Sequence, residues 1–227
     1  MNSIAEILLG AILSIVTTIF IEFQRKPKLN IRIAKASDNH YPNHPAQRAK
    51  FLGVDIENKP LPLVFRWLSR NTATQCTTLL TFYHLDGQKV FSSFMVGRWS
   101  GSPEPVAPIA ISGDNITIKN VTISFDLSAA SILKRDIFPG NLERLDVAAR
   151  FDNDNECYGW NNEAYFSRPQ WRNPKWQLQQ GRYVVKVEVD TSGEKTTELF
   201  RLCNDVSIED FRLEPAQKQD YAVLNNS

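Results

Sequence analysis

Three stretches carry residues whose types and spacing suit chemistry. The first is "DNDNECYGWNNE" at 152–163. Laid on a twelve-residue calcium loop, Asp152, Asp154, Glu156, the Tyr158 carbonyl and Glu163 fall at positions 1, 3, 5, 7 and 12, where a hard cation takes oxygen. Position 6 is Cys157, where that loop needs glycine for its turn, and the preceding residues alternate like a strand instead of a helix. The segment reads first as a solvated acidic loop between strands, with calcium as the competing reading and no metal assigned.

The second, "YGWNNEAYFSRPQWRNPKW" at 158–176, packs three Trp, two Tyr, one Phe, two Arg and one Lys into nineteen residues without apolar periodicity. Aromatic faces interleaved with arginine can stack a base, a sugar or a headgroup, and the guanidinium can fork onto phosphate. Tyr158, Trp160, Arg168, Trp171, Arg172 and Trp176 are the candidate ligand contacts here, joined by Arg98 and Trp99 of "GRWSGSP". The same composition suits a long loop folded over a sheet, where tryptophans plug an end and arginines stack on them. Packing is the more general use of large aromatics and takes precedence. The third stretch, "DNHYPNHP", spaces His40 and His44 as metal ligands on a helix would be, but Pro42 and Pro45 forbid that helix. The chain has no Gly-rich phosphate loop, nucleophile elbow, HExxH or Cys/His cluster, so no cofactor and no enzymatic activity is inferred.

Twenty-six basic residues against 25 acidic leave a net charge of +1, which removes bulk electrostatics as a case for nucleic acid. Three cysteines, Cys76, Cys157 and Cys203, are too few for a disulfide scaffold and fit buried, reduced thiols, with one bridge plus a spare thiol as the alternative.

What must position these residues begins with "IAEILLGAILSIVTTIFIEF", Ile4 to Phe23, uncharged between Glu6 and Glu22. Twenty such residues at about 1.5 Å each reach roughly 30 Å, the hydrocarbon thickness of a bilayer. A cleaved signal peptide would carry a basic n-region and a small-x-small site, and a buried soluble helix would show a polar face. Neither pattern is present. Residues 1–26 are therefore read as a transmembrane anchor. Arg25, Lys26 and Lys28 follow it, so the positive-inside rule puts the N-terminus outside and the following domain in the cytoplasm, at the inner membrane. Gly10, Ser14 and Thr17 form a small-residue stripe that would allow helix packing and a homo-oligomer.

From Pro27 the pattern changes to period two. "LNIRIAK", "FLGVDIEN", "TTLLTFYHL", "QKVFSSFMV", "NITIKNVTISFDL", "RLDVAARFD" and the pair within "GRYVVKVEVDTSGEKTTELFRLC" are strand candidates, about eight in all. Asp86-Gly87 and Thr191 to Glu194 are their hairpin turns. "ASDNHYPNHPAQRA" reads as a polar loop, "KPLPLVFRWLSR" as a connection with one helical turn, and "LSAASILKRD" as a short helix. The fold class is all-β, an antiparallel sandwich over 27–214 behind one transmembrane helix, with a polar tail at 215–227.

"NTATQCTTLLTFYHLDG", preceded by an Asn and a connection, resembles the early strands of immunoglobulin-like domains of the cell-adhesion-related (CARDB-like) kind, and "YVVKVEVDTSGEKTTELFRL" resembles their closing hairpin. The resemblance covers about half the domain and implies an immunoglobulin-like sandwich without a shared active site. Three functions follow as expectations. The first is a non-enzymatic, membrane-anchored module whose cytoplasmic sandwich binds a partner protein or small ligand at the lipid bilayer. The second is a membrane effector, which in outline resembles the short transmembrane effectors of prokaryotic antiviral defence. The third is an extracellular anchored adhesion or carbohydrate-binding domain.

Overall fold

The computed structural model describes residues 2–41, 44–65, 67–102, 133–152, 154–165, 167 and 171–225. The chain opens with α1 (Asn2–Arg25), whose apolar run from Glu6 is long enough to cross a membrane. Among the described residues, none of that run is buried against the rest of the protein. The large hydrophobic side chains from Ile4 to Ile19 stay between 57% and 70% exposed, so α1 is not a core helix of the β domain.

Behind it come β1 (Leu29–Ile33), β2 (Ser37–Tyr41), β3 (His44–Asn58), β4 (Ala73–Tyr83), β5 (Met95–Val96), β6 (Arg98–Trp99), β7 (Arg135–Ile137) and β8 (Leu142–Phe151). The chain continues through β9 (Cys157–Gly159), the single turn α2 (Asn162–Tyr165), β10 (Gln177–Leu178), β11 (Arg182–Asp190), β12 (Lys195–Cys203), β13 (Arg212–Pro215) and α3 (Lys218–Asn225). Two antiparallel sheets result. One runs β1-β3-β8-β9-β10, with β2 added on β3 and β6 on β8; the other runs β13-β12-β11-β4-β5, with β7 on β4.

Alternation explains the layering. Val54 and Ile56 of β3, Leu145 of β8, Leu80 and Phe82 of β4, Val185, Val187 and Val189 of β11, and Leu202 of β12 meet in one core between the sheets. Each such side chain taken fully from water contributes about 1.5–3 kcal/mol. Opposite Leu52 and Gly53 the β8 register shifts by one residue, a bulge that leaves both Val147 and Ala148 facing the core. Gly53 is needed there, because a Cβ would stand 2.7 Å from the Leu145 carbonyl oxygen.

Several expectations change. Thirteen strands replace about eight among the described residues, the extra ones being short. The polar stretch 36–49 is mostly strand, since pairing with Phe51 and Lys50 extends β2 and β3 through residues of low hydrophobicity. After the Asp86-Gly87 turn, where Gly87 takes φ 89°, the return strand shrinks to one bridge at Lys89 and the two residues of β5. Val90 and Phe91 leave the ladder to pack against the core. The end of the expected 127–136 helix is strand β7, held by β4; residues 127–132 and the strand candidate at 115–127 lie outside the described residues. The expected turn in the 59–70 connection is present at Leu63–Phe65.

Beyond β13, the segment 215–227 carries α3. Arg201 of β12 holds it through a bidentate pair to Asp220, 2.7 Å on each arm, both side chains buried. Asp220 also accepts the Gln217 amide at 2.7 Å, so one carboxylate both caps the helix and docks it.

Candidate functional site

Two constructions stand apart from the core. The first covers the outer face of the β1-β3-β8 sheet. Ala49 and Phe51 of β3 point away from the core and pair across the ladder with Phe151 and Ala149 of β8. The aromatic segment folds onto them. Trp160 sits edge-on to Phe51 with centroids 4.8 Å apart, and to Trp171 at 5.8 Å; Trp171 stacks on Phe151 at 6.2 Å. Arg98 lies 4.2 Å above the Tyr165 ring at one end, and Arg172 lies 4.3 Å above Phe151 at the other. Tyr165 meets Trp160 edge-on at 6.1 Å, which makes the series continuous from one guanidinium to the other.

Local capping makes the segment fold this way. Asn161 Oδ1 accepts the Ala164 amide at 2.7 Å and starts α2, while Asn173 Oδ1 accepts the Lys175 amide at 3.0 Å and starts the next turn at Pro174. Trp171 takes φ 69°, which aims its ring back onto the sheet. Both arginines also have polar partners. Arg98 donates to Asn162 Oδ1 at 2.6 Å and to the Ser102 carbonyl, and Arg172 donates to Asp154 at 2.7 Å.

The structure thus gathers Arg98, Tyr158, Trp160, Trp171 and Arg172 on one face. Trp99 lies elsewhere, fully buried in the core with its indole N–H on the Leu133 carbonyl at 3.0 Å. Trp176 is also a core residue, with its indole N–H on Glu163 at 2.8 Å, and Arg168 lies outside the described residues. Burial pushes the Tyr158 phenol up to about 12, and the Asp154 carboxylate adds to the shift.

The acidic stretch is divided among separate partners. Asp152 accepts the Arg48 amide at 2.9 Å, Asp154 takes Arg172, and Glu163 takes Lys175 at 2.9 Å together with Trp176. The residues before it form β8, and Cys157 opens β9. Among the described residues no three His, Cys, Asp or Glu side chains gather into a metal-binding group. All three cysteines are free and buried, and burial raises each thiol.

Beside the aromatic face opens a cleft of about 160 Å³ between Ser93, Phe94, Asn162, Glu163, Lys175 and Trp176. One wall is Phe94, 61% exposed. The opposite rim is the Lys175–Glu163 ion pair, with the ammonium 4.6 Å over the Trp176 ring. Such a cleft accepts a small polar group or one side chain of a larger partner. Phe94 and Asn162 carry no sequence signal for this role. Only the Asn-Asn pair ahead of a short helix hints that a turn begins there.

The second construction is the joint between α1 and the sandwich. Asn71 donates to the Arg25 carbonyl at 2.7 Å, Lys59 to the Lys28 carbonyl at 2.9 Å, Arg25 Nε to the Ser69 carbonyl at 3.2 Å, and Arg70 to the Lys26 carbonyl. Fully buried Asn58 locks it. Its Nδ2 donates to the Asn71 and Ile137 carbonyls, both at 3.0 Å, and its Oδ1 accepts the Lys28 amide at 3.2 Å. Gly10, Ser14 and Thr17 lie on the exposed surface of α1, and the Thr17 hydroxyl bonds back to the Leu13 carbonyl at 2.8 Å. No family model, no curated protein and no solved structure matches the chain, so its function rests on this geometry.

Proposed function

We propose that the chain is a single-pass, membrane-anchored binding module without enzymatic activity, its sandwich an immunoglobulin-like domain of the CARDB-like kind held on the cytoplasmic side of the inner membrane. The observation that carries this is α1 itself. A helix whose Leu and Ile side chains from Ile4 to Ile19 are all more than half exposed needs a solvent other than water. The basic joint at Arg25, Lys26 and Lys28 supports the orientation. The cleft beside Phe94 and Lys175 is the place where a small ligand or one side chain of a partner protein would enter.

The test has two parts. A cysteine introduced at exposed Asp86 should react with a membrane-impermeant thiol reagent only after the membrane is opened, and the protein should resist extraction by alkaline carbonate. Phe94→Glu and Lys175→Glu should each abolish capture of whatever wild type retains, while leaving membrane association unchanged. Labelling of intact cells, release by carbonate, or equal capture by both variants would each sink the reading.

A second reading has its own observation. Gly10, Ser14 and Thr17 all stay exposed among the described residues, and the joint leaves no slack between sandwich and helix. Such a helix could pack on copies of itself and act on the bilayer when the sandwich is engaged, as in the prokaryotic defence effectors it resembles. Unaltered membrane potential and growth on overexpression with the trigger supplied would remove that reading.

A further inference from the structure

We propose that the connection between β3 and β4 is a membrane-inserted foot. Its apolar tip, Leu63, Val64 and Trp67, sits in the interfacial zone of the same bilayer that α1 spans. The inference rests on α1 being a membrane span.

The tip is shaped by two tight turns, Phe65 N–H to the Pro62 carbonyl at 2.9 Å and Leu68 N–H to the Phe65 carbonyl at 2.8 Å. It leaves Leu63 82%, Val64 80% and Trp67 73% exposed. A soluble loop of this length would place polar residues there, because leaving such side chains in water forfeits about 1.5–3 kcal/mol each. The level of the tip is fixed by the helix. Phe65 meets Phe20 at 6.1 Å between ring centroids, and Phe20 stands five residues before Arg25, about 7.5 Å farther into the bilayer by helical rise. With Arg25 and exposed Lys26 at the headgroups, the tip lies below the phosphates.

The rest of that end agrees. Phe138, 56% exposed, follows Ile137, whose carbonyl Asn58 holds, and Leu142, 42% exposed, pairs with Glu57 beside the joint. Among the described residues, five of the eight exposed large hydrophobics outside α1 thus gather at the end tied to the helix. Exposed Lys26 and Lys59 flank them and suit lipid phosphates, and tryptophan favours this depth.

The test uses the full chain in phospholipid vesicles, with an environment-sensitive fluorophore on Leu63→Cys and, separately, on Trp67→Cys. The native cysteines are all buried, so labelling falls on the introduced thiol. Ile12→Cys and Asp86→Cys serve as deep and aqueous references. Both tip probes should emit blue-shifted light and be quenched more by a lipid-borne quencher near the headgroup than by one at the chain end. Ile12 should show the reverse order, and Asp86 neither effect. Tip probes that behave like Asp86 while Ile12 is quenched would overturn the foot and leave the span standing. Tip probes that are blue-shifted yet untouched by lipid quenchers would overturn it too, because a second protein copy would then be the cover. An unquenched Ile12 would remove the span, and the foot with it.

Discussion

Asn58 concentrates more of the joint than any other side chain described. Three of its hydrogen bonds tie the start of β1, the end of the foot loop and β7 to one buried amide. Asn58→Ala should lower unfolding free energy by about 3 kcal/mol, since buried groups left unpaired cost about 1–3 kcal/mol each. Urea denaturation of the variant against wild type checks it. Gly97 is a second such residue. It joins β5 of one sheet to β6 of the other, so the chain crosses the core there, and a Cβ would stand 2.6 Å from Thr78 Oγ1 and 2.8 Å from Leu145 Cδ1. Gly97→Ala should destabilise by about 1–3 kcal/mol through overpacking, read as a lower melting temperature. Neither residue stands out in the sequence, because a keystone amide and a crossing glycine are defined by what the fold brings around them.

At the scale of elements, α3 shows how one ion pair can decide the fate of a helix. The Arg201 guanidinium holds the Asp220 carboxyl below its usual range, outweighing the opposing effect of burial, and the Gln217 amide helps. A carboxyl depressed in the folded state stabilises the fold above its unfolded value of about 3.9, and the contribution is lost as pH falls through the folded value. Asp146 runs the other way, because burial raises it despite Arg144, so its contribution grows in acid. Acid titration of wild type therefore reads a difference, and Asp220→Asn isolates one side of it. That variant should lose about 3 kcal/mol at neutral pH, release α3 to proteolysis, and show a flatter fall in stability below about pH 4. The aromatic segment teaches the same lesson. Its composition was legible, but the choice between display and packing was made by Ala49 and Ala149, whose small side chains open room for rings on the outer face.

For the whole molecule, the two sheets share one core, and the cysteines sample both. Cys76 lies on β4 and Cys203 on β12 in one sheet, and Cys157 on β9 in the other. Burial raises all three thiols, most of all Cys157, so the native protein should be inert to a thiol-exchange reagent at pH 8. In rising denaturant the three should become reactive in a single phase with the loss of tertiary signal. Separate phases would show that the sheets open independently.

Local pattern was enough to determine the apolar helix, the change to period two at Leu29, the second half of β3 from Phe51, the long strands β4, β8, β11 and β12, and both hairpin turns. Those features depend on neighbours a few residues away, which the sequence displays directly. Only the tertiary structure decided that the polar stretch after Ala36 pairs as strands, that residues past Ile208 return to cap a sheet edge, and that Arg98, Trp160 and Arg172 share one face. It also decided that Phe65 of "PLPLVF" meets Phe20 near the end of α1, while Leu63, Val64 and Trp67 beside it stay exposed. A linear reading sees those residues as a connection with one turn. Contact between Phe65 and Phe20, forty-five positions apart, is what brings the same residues beside the apolar helix, because only folding can join positions so distant in the chain.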